Sequence, residues 1–388
     1  MNGVKKVLNI VLILIGVCLI AFCADLMSNK LSKTKLEQLD ETDRSAVEEI
    51  CGIISQFDEK YGNDDVWTEN YNPNNYSFVI TRRLGFVKGR TYAVNMNISK
   101  DIFAQKIDMP EEYSDISVYR IAYFAPETFA LSRYDSPDFT QFKDNRVLAS
   151  SFDKQNVAMN GSGSLEESQI KLTFLDAVES IDTPAASEND HFTINEENVA
   201  LLGLQYRILD DMLASPDEAQ MKELIAEYVT VREYQNEKYP EYAAERENIE
   251  LKNGCAQYVF YNVSDLIGHD ITYFNKDRSD TITFYSAYYY LCTGRYNSDV
   301  GEFLDCTGNE YTGAALCRII EDNRLAAEWQ YKLNGAQGTD LTSQYTIIKN
   351  YCGGTCSEFT DKTIDDIKAT YNYDEIKSMA HTLCEAVG

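Results

Sequence analysis

Five charged residues in one stretch of the chain have the types that acid–base chemistry uses. Arg232 and Glu233 come first, and Arg246, Glu247 and Glu250 follow at spacings that bring side chains to one helix face. Arg246, Glu247 and Glu250 are therefore the candidate catalytic residues of a buried acid–base site facing a neighbouring domain. The alternative is ion pairing across packed helices, with the other charges in solvent. We favour ion pairing, because acidic residues on helices usually lie at the surface.

The histidines do not form a zinc-binding motif. His191, His269 and His381 are the only histidines, and none lies in a His-Glu-x-x-His frame. That frame places two zinc ligands on one helix face, with a glutamate beside the metal-bound water. A zinc site made of His191, His269 and Glu250 would have to be assembled by folding alone. Nucleophile-elbow and phosphate-loop motifs are also missing, so the sequence predicts no metal site and no cofactor.

A tyrosine cluster is the candidate binding surface. Residues 284–291 read FYSAYYYL, and the whole chain has 27 tyrosines. Tyr288 and Tyr289 are the candidates for stacking on a peptide or glycan, since tyrosine combines a large flat ring with a polar tip. The alternative, which we favour, is a buried helix or strand whose rings fill the core.

The charge balance limits the partners. The chain of 388 residues carries 35 basic and 62 acidic residues, for a net charge of −27. This argues against nucleic acid, whose phosphates require clustered Lys and Arg, and against broad adhesion to an anionic membrane face. A protein, peptide or glycan partner stays open. The length allows one large domain or two ordinary ones.

The N-terminus has the features of a membrane or export segment. Lys5 and Lys6 precede an almost entirely apolar run, residues 7–24, at the lower limit for spanning a bilayer. We favour an uncleaved anchor with residues 1–6 in the cytoplasm. The alternatives are a lipoprotein modified at Cys23, although bulky Phe22 departs from the usual small residue, and a cleaved secretion signal. Each places the rest of the chain outside the cytoplasm, where the eight remaining cysteines would suit disulfides.

Periodicity divides the remainder into a strand-rich and a helical region, and so predicts an α+β fold. Residues 25–65 indicate a stalk followed by a helix. Residues 66–181 alternate with period two, which is typical of strands. We place strands at 92–98, 119–123, 147–152 and 170–174, with a turn at 160–163. The polar segment 182–190 is the predicted linker.

Residues 191–388 have helical periodicity. Ser215-Pro216 looks like a helix start, with a serine cap before a proline in the first turn. The predicted helices are 196–213, 215 to about 239, one that begins at Pro240, 313–329, and 363 to the C-terminus.

Residues 247–259 resemble a pattern of exported bacterial proteins of unknown function, roughly Glu-x-x-Glu-Leu-x-Glu-Gly-x-Ala-x-Tyr-Val. Here the segment reads ENIELKNGCAQYV. Residues 311–315 (YTGAA), followed by Trp329 and Lys332, are similar to a Tyr-x-Gly-Ala helix of the same proteins, and residues 63–67 (NDDVW) to their opening. The resemblance is spread over most of the chain after the apolar segment.

The helical core of those proteins is similar to that of gluzincin-type metallopeptidases, in which a Glu within Glu-Gly-x-Ala is the third zinc ligand. In this sequence the corresponding position is Asn253, whose amide oxygen is a poorer zinc ligand than carboxylate. The histidine pair is missing as well. The resemblance therefore implies a peptidase-like scaffold without its metal motif.

Together these observations predict a membrane-anchored extracytoplasmic protein with a binding or envelope role and no catalysis. One alternative is a divergent metal-dependent peptidase or other hydrolase using Glu247 and Glu250. Another is a tyrosine-lined peptide or glycan binder using Tyr288 and Tyr289.

Overall fold

A computed structural model describes residues 2–59, 66–67, 71–85, 87–131, 137–158, 164–178, 191–214, 216–268, 282–295, 299–334, 342–356, 359 and 361–387. The chain divides into two compact units. The first is Met1–Ala177 with Leu266–His269, and the second is Val178–Asp265 with Asp270–Gly388. The predicted turn at 160–163 and the predicted linker at 182–190 lie outside the described residues.

The first unit is built around a mixed seven-stranded sheet, which confirms the α+β prediction together with the helical second unit. The strand order is β1-β4-β5-β3-β2-β7-β6; the β1–β4 and β2–β7 pairs are parallel and the others antiparallel. The strands are β1 Thr34–Lys35, β2 Phe78–Leu84, β3 Val87–Val94, β4 Ala104–Asp108, β5 Val118–Ile121, β6 Asp138–Phe142 and β7 Asn145–Phe152. The helices of this unit are α1 Asn2–Leu31, α2 Glu41–Glu59, α3 Pro126–Leu131, α4 Lys154–Ala158 and α5 Leu165–Ala177.

Alternating strand residues bury both faces of the sheet. One face, with Phe78 and Ile80, packs on the apolar stripe of α2 that contains Val47, Ile50 and Ile54. Those three residues recur at three- and four-residue spacing, as an amphipathic helix requires. The opposite face has a separate apolar cluster that includes Val79.

The predicted strand at 170–174 is wrong, because this segment belongs to α5. Ile170, Thr173 and Phe174 are buried, a three- and four-residue spacing that fits a helix. Ser164 caps the helix, its Oγ accepting from the Glu167 amide at 3.0 Å. The short apolar alternation was equally compatible with either structure, and the cap decides in favour of the helix.

Helix α1 continues through the start of the predicted stalk. It runs unbroken to Leu31, and its C-terminal part packs on the sheet. Buried Asn29 donates to the Phe103 carbonyl at 2.9 Å and accepts from Arg120 Nε at 2.8 Å. Within the described residues, α1 is the one helix whose length and composition would let it cross a membrane.

The second unit is helical throughout its described part. Its helices are α6 Glu196–Leu213, α7 Glu218–Lys238, α8 Pro240–Leu266, α9 Phe284–Cys292, α10 Val300–Glu302, α11 Gly308–Asp322, α12 Trp329–Asn334, α13 Gln344–Thr355, α14 Ile364–Thr370 and α15 Tyr373–Val387. A π-helical turn, Phe303–Thr307, joins α10 to α11. Buried α6 packs against α7, α9, α11 and α15.

Three predicted helix bounds were wrong. Helix α7 begins at Glu218, after a cap at Asp217 whose side chain accepts from the Gln220 amide; the predicted cap, Ser215, lies outside the described residues. The predicted 313–329 helix ends at Asp322, and Trp329 begins the separate helix α12. The C-terminal segment forms two helices, separated near Asn372, which has a positive φ of 51°. All ten cysteines are free thiols in this structure, so the expected disulfides are not formed in it.

Candidate functional site: a buried charge cluster

The most concentrated group of buried charges in the described second unit surrounds Glu250 on α8. Its Oε1 accepts from Arg232 Nη1 at 2.8 Å and from Arg246 Nε at 3.0 Å. Its Oε2 lies 2.7 Å from Arg232 Nη2. Thr312 on α11 donates a third hydrogen bond to Oε1 at 3.0 Å. The carboxylate therefore ties α7 to α8 and α11, and we call Arg232, Arg246, Glu250 and Thr312 the charge cluster.

No member of the charge cluster reaches the surface. Glu250, Arg232 and Thr312 are 0% exposed, and Arg246 is 2% exposed. The Arg232 guanidinium also stacks over the Tyr345 ring, 4.1 Å from its centroid. One face of the guanidinium therefore meets an aromatic ring while its edge meets the carboxylate, which is the geometry that suits buried arginine.

Amide side chains extend the charge cluster to α6. Gln235 Oε1 accepts from Arg246 Nη1 at 2.9 Å and from Gln205 Nε2 at 2.7 Å. Gln235 Nε2 donates in turn to Asn198 Oδ1 at 2.7 Å. Buried polar groups are costly unless they are hydrogen-bonded, so this chain of amides helps fix the register of α6 against α7 and α8.

Two glycines allow α11 to approach Glu250. A Cβ on Gly313 would lie 2.3 Å from the Glu250 carbonyl oxygen, and one on Gly254 would lie 2.6 Å from the Gly313 Cα. Neither position can hold a side chain without moving the helices apart. The Gly254 and Gly313 of the two resemblance segments are therefore the two sides of a single helix crossing.

The pKa of Glu250 follows from its partners. Burial alone would raise the pKa, but the charges of Arg232 and Arg246 and the hydrogen bonds of the cluster outweigh that effect and lower it. Burial would lower the pKa of Arg232, and the facing Glu250 carboxylate raises it instead. The surroundings of Glu250 thus favour its ionised form, which pairs with the two arginines of the cluster.

The arrangement around Glu250 suits a carboxylate that holds helices together and not one that acts as a general base. Both oxygens of Glu250 face cations, and a base or a zinc ligand needs a lone pair directed at a substrate, a water or a metal. The expected ion pairing across packed helices is therefore present, although the ion pair lies in the core instead of at a surface.

The other charged candidates lie outside the charge cluster. Half-buried Glu247 accepts from Ser343 Oγ at 2.8 Å. Glu233 accepts from Tyr345 Oη at 2.5 Å and pairs with Lys349 at 2.6 Å. Asn253 is half-buried, with its Nδ2 3.9 Å from Cys306 Sγ. The structure thus brings Arg246 and Glu250 together and separates both from Glu247.

The two histidines within the described residues do not converge on Glu250. His191 is exposed and lies 2.9 Å from Asp305. His381, on α15, lies between Glu196 of α6 and Glu385 of its own helix. His269 lies outside the described residues. In the part of the chain that the structure describes, no three His, Cys, Asp or Glu side chains are grouped closely enough to hold a metal ion.

The two candidate tyrosines have different environments. Tyr288 is 0% exposed, packs on Gly203 of α6 and donates to the Ile376 carbonyl of α15 at 3.0 Å. Its ring belongs to the core in this structure. Tyr289 is 38% exposed, next to the equally accessible Tyr290, and the Arg295 guanidinium lies 5.7 Å from its ring centroid. Only Tyr289 is placed to meet an external ligand.

Sequence reasoning missed Thr312, Gln235 and Gln344 as partners of the cluster. Gln344 Nε2 donates to the Glu250 carbonyl at 2.8 Å, although it is far away in sequence. The sequence did contain a pointer to Thr312, since it precedes Gly313 within the YTGAA segment that carries the resemblance.

Comparisons of the chain with protein-family models, with curated proteins and with solved structures return no match, so the gluzincin-like resemblance stays a prediction.

Proposed function

We propose that the chain is a single-pass, membrane-anchored extracytoplasmic protein whose helical unit serves a binding or envelope role and does not hydrolyse a substrate. The observation that carries the proposal is the surface of α1. Residues 9–15 and 17–20 are exposed and almost all apolar, whereas Asn29 of the same helix is buried against the sheet. An apolar surface of this size on a helix is stable in lipid and unfavourable in water.

The charge cluster supports the non-catalytic part of the proposal. Its carboxylate is shielded from solvent by two arginines and a threonine, and the interhelical glycines hold those partners in place. On a peptidase-like scaffold that has Asn253 at the ligand position, such a cluster supplies rigidity at the place where an enzyme would need an open cleft.

Membrane fractionation tests the anchor. The full chain, expressed in a bacterial host, is expected to stay in the pellet after alkaline carbonate extraction and to be degraded by protease added outside spheroplasts. A variant with Leu12→Lys and Leu14→Lys in the exposed part of α1 serves as the matched control and is expected in the soluble fraction. Recovery of the unaltered chain in the carbonate supernatant at full length would overturn the anchor.

Metal analysis tests the absence of hydrolysis. The purified chain is expected to bind no zinc stoichiometrically and to show no peptidase activity towards a mixed peptide library. Glu247→Gln is the control for Glu250→Gln, because Glu247 is half-buried and outside the charge cluster. Stoichiometric zinc together with peptidase activity in the unaltered chain would overturn the non-hydrolytic role, and loss of both in a Glu250→Gln variant that stays folded, with both kept in Glu247→Gln, would place the metal at Glu250.

A further inference from the structure

Helix α1 crosses one end of the sheet and touches three neighbouring strands there. The register aligns Thr91 of β3, Ile121 of β5 and Ala104 of β4. The residues just beyond this line all contact α1: Asp25 lies 3.6 Å from Arg90 and accepts from the Phe124 amide at 3.0 Å, and the Phe22 and Phe103 rings pack edge to face.

Exposed apolar side chains are concentrated at this end. Outside α1, the described part of the first unit exposes four large apolar residues: Leu84, Ile102, Phe124 and Phe129, at 52%, 60%, 37% and 45%. Ile102 and Phe124 are in the segments that contact α1. We call Ile102, Phe124 and Phe129 the rim. Leu84 is at the tip of the β2–β3 hairpin, which extends beyond Thr81 in the same direction.

Lys88 lies between two segments of the rim: it is close to Phe129 and to Tyr123, the residue before Phe124. The Lys88 ammonium lies 4.6 Å from the Phe129 ring centroid, 5.2 Å from that of Tyr123, and 2.8 Å from the Tyr123 carbonyl. Burial lowers the pKa of Lys88 to about 8. Tyr123 supplies an amphipathic ring, apolar with a polar tip, of the kind that concentrates where membrane proteins meet lipid headgroups.

The length of the exposed apolar part of α1 is consistent with a lipid boundary near the end of the sheet that contacts α1. Residues 7–21 precede the first packed residue, Phe22, and span about 22 Å at the rise of an α-helix, against about 30 Å of hydrocarbon. The packed turns that follow must therefore begin close to the lipid boundary. The sheet unit then lies directly on the bilayer, because no stalk separates it from α1.

We propose that the rim is a membrane-contact surface that inserts Ile102, Phe124 and Phe129 into the headgroup layer around α1. This inference depends on the anchor proposed above, and it adds the orientation of the sheet unit and the identity of its lipid-facing end. The contact is local, so it is compatible with a strongly acidic chain.

Depth-dependent quenching tests the rim in the full chain reconstituted in phosphatidylcholine–phosphatidylglycerol vesicles. Single variants Ile102→Trp, Phe124→Trp and Phe129→Trp report the rim, Leu14→Trp reports the apolar helix, and exposed Glu112→Trp at the opposite end of the sheet is the control. The native Trp67 and Trp329 are buried and supply a constant background. The quenchers are phospholipids spin-labelled near the headgroup or deep in the acyl chain.

The rim variants are expected to lose roughly twofold more fluorescence than Glu112→Trp with the shallow label, since interfacial side chains lie about 5–10 Å into the headgroup region. Quenching of Leu14→Trp by the deep label without quenching of the rim would overturn the rim and leave the anchor intact. Absence of quenching at Leu14 as well would overturn both.

Photo-crosslinking of the unaltered chain to a diazirine-labelled phospholipid gives an independent reading, free of any folding defect in the variants. Lipid adducts are expected on peptides containing residues 101–103 and 123–131. Adducts confined to α1 would contradict the rim.

Discussion

Glu250 in the helical unit and Glu49 in the sheet unit are both withdrawn from water, yet their pKa values move in opposite directions. Glu250 has two arginines and a threonine against its carboxylate, and its pKa is lowered. Glu49 on α2 has a buried oxygen with no hydrogen-bond partner among the described residues, and the Glu166 charge is nearby; burial, reinforced by Glu166, raises the pKa of Glu49 to about 8. Burial thus sets the cost of a charge, and the neighbours decide whether the charge persists.

The largest expected loss of stability comes from removing either Glu250 or Arg232, the two partners of the buried ion pair. Glu250→Gln leaves two buried guanidinium groups without a counter-charge, and Arg232→Met leaves a buried carboxylate with one arginine. Each is expected to lower the free energy of unfolding of the helical unit by about 3–5 kcal/mol. Urea titration followed by Trp329 fluorescence in a Trp67→Phe background measures this unit, because the two tryptophans lie in different units.

The control for that experiment is Glu247→Gln, expected to change stability by less than about 1 kcal/mol because Glu247 is only half-buried. Equal effects of Glu247→Gln and Glu250→Gln would mean that the charge cluster has no special role in stability.

Gly313→Ala is expected to lower the free energy of unfolding by a smaller amount. The added methyl meets the Glu250 carbonyl and pushes α11, with Thr312, away from the cluster, at a cost of about 1–3 kcal/mol. Gly353→Ala is the matched control, since Gly353 is an exposed helical glycine with open space around its Cβ position. It is expected to stabilise by about 0.5–1 kcal/mol through helix propensity. The same Trp329 titration compares them, and destabilisation by both would argue against the close crossing.

The comparison predicts that Glu250 and Glu49 contribute to the free energy of unfolding with opposite pH dependences. The folded pKa of Glu250 is below its unfolded value, so its contribution is present above that unfolded value and is lost as pH falls through the folded pKa. The folded pKa of Glu49 is raised to about 8, so stability is highest below its unfolded value and falls as pH rises towards 8. Glu49→Gln is therefore expected to stabilise the sheet unit by roughly 1–3 kcal/mol at alkaline pH and to have little effect in acid.

Thermal unfolding followed by Trp67 in a Trp329→Phe background measures the Glu49 effect across pH. Exposed Glu41→Gln on the same helix is the control and is expected to leave the profile unchanged. A Glu49→Gln profile that parallels the unaltered protein between acid and pH 9 would show that Glu49 finds a partner in solution.

The smallest effect on stability is expected at Tyr289. Tyr289→Ala removes an exposed ring and is expected to change the free energy of unfolding by no more than about 0.5 kcal/mol, whereas Tyr288→Ala opens a core cavity that costs about 3–5 kcal/mol. Loss of binding to a peptide or glycan array in Tyr289→Ala, with stability kept, would favour the tyrosine-lined binder over a purely structural role. Unchanged binding would count against that binder.

Local signals explain which parts of the fold were predictable. The 196–213 helix was predicted because apolar residues recur with helical spacing, which is a local feature; the structure adds a cap at Asn195. The error at 170–174 arose because Ile170 and Phe174 fit a strand as well as a helix, and the Ser164 cap that distinguishes them was not considered.

The candidate site was only partly predictable, since its contacts are between distant segments. The relation of Arg246 to Glu250 is an i, i+4 spacing that can be read directly. The contacts of Glu250 with Thr312 and Gln344 depend on how α11 and α13 pack on α8, and no local pattern encodes that packing. Burial of the pair was missed for the same reason, because a charged helix face usually indicates solvent.

The unbroken passage of α1 into the sheet unit has a consequence for proteolysis of the chain. Proteases cleave extended backbone, and between the exposed apolar part of α1 and the sheet this chain has hydrogen-bonded helix, held by buried Asn29, in place of a loose linker. Cleavage there would first require the last turns of α1 to detach and unwind, so local unfolding of α1 limits it.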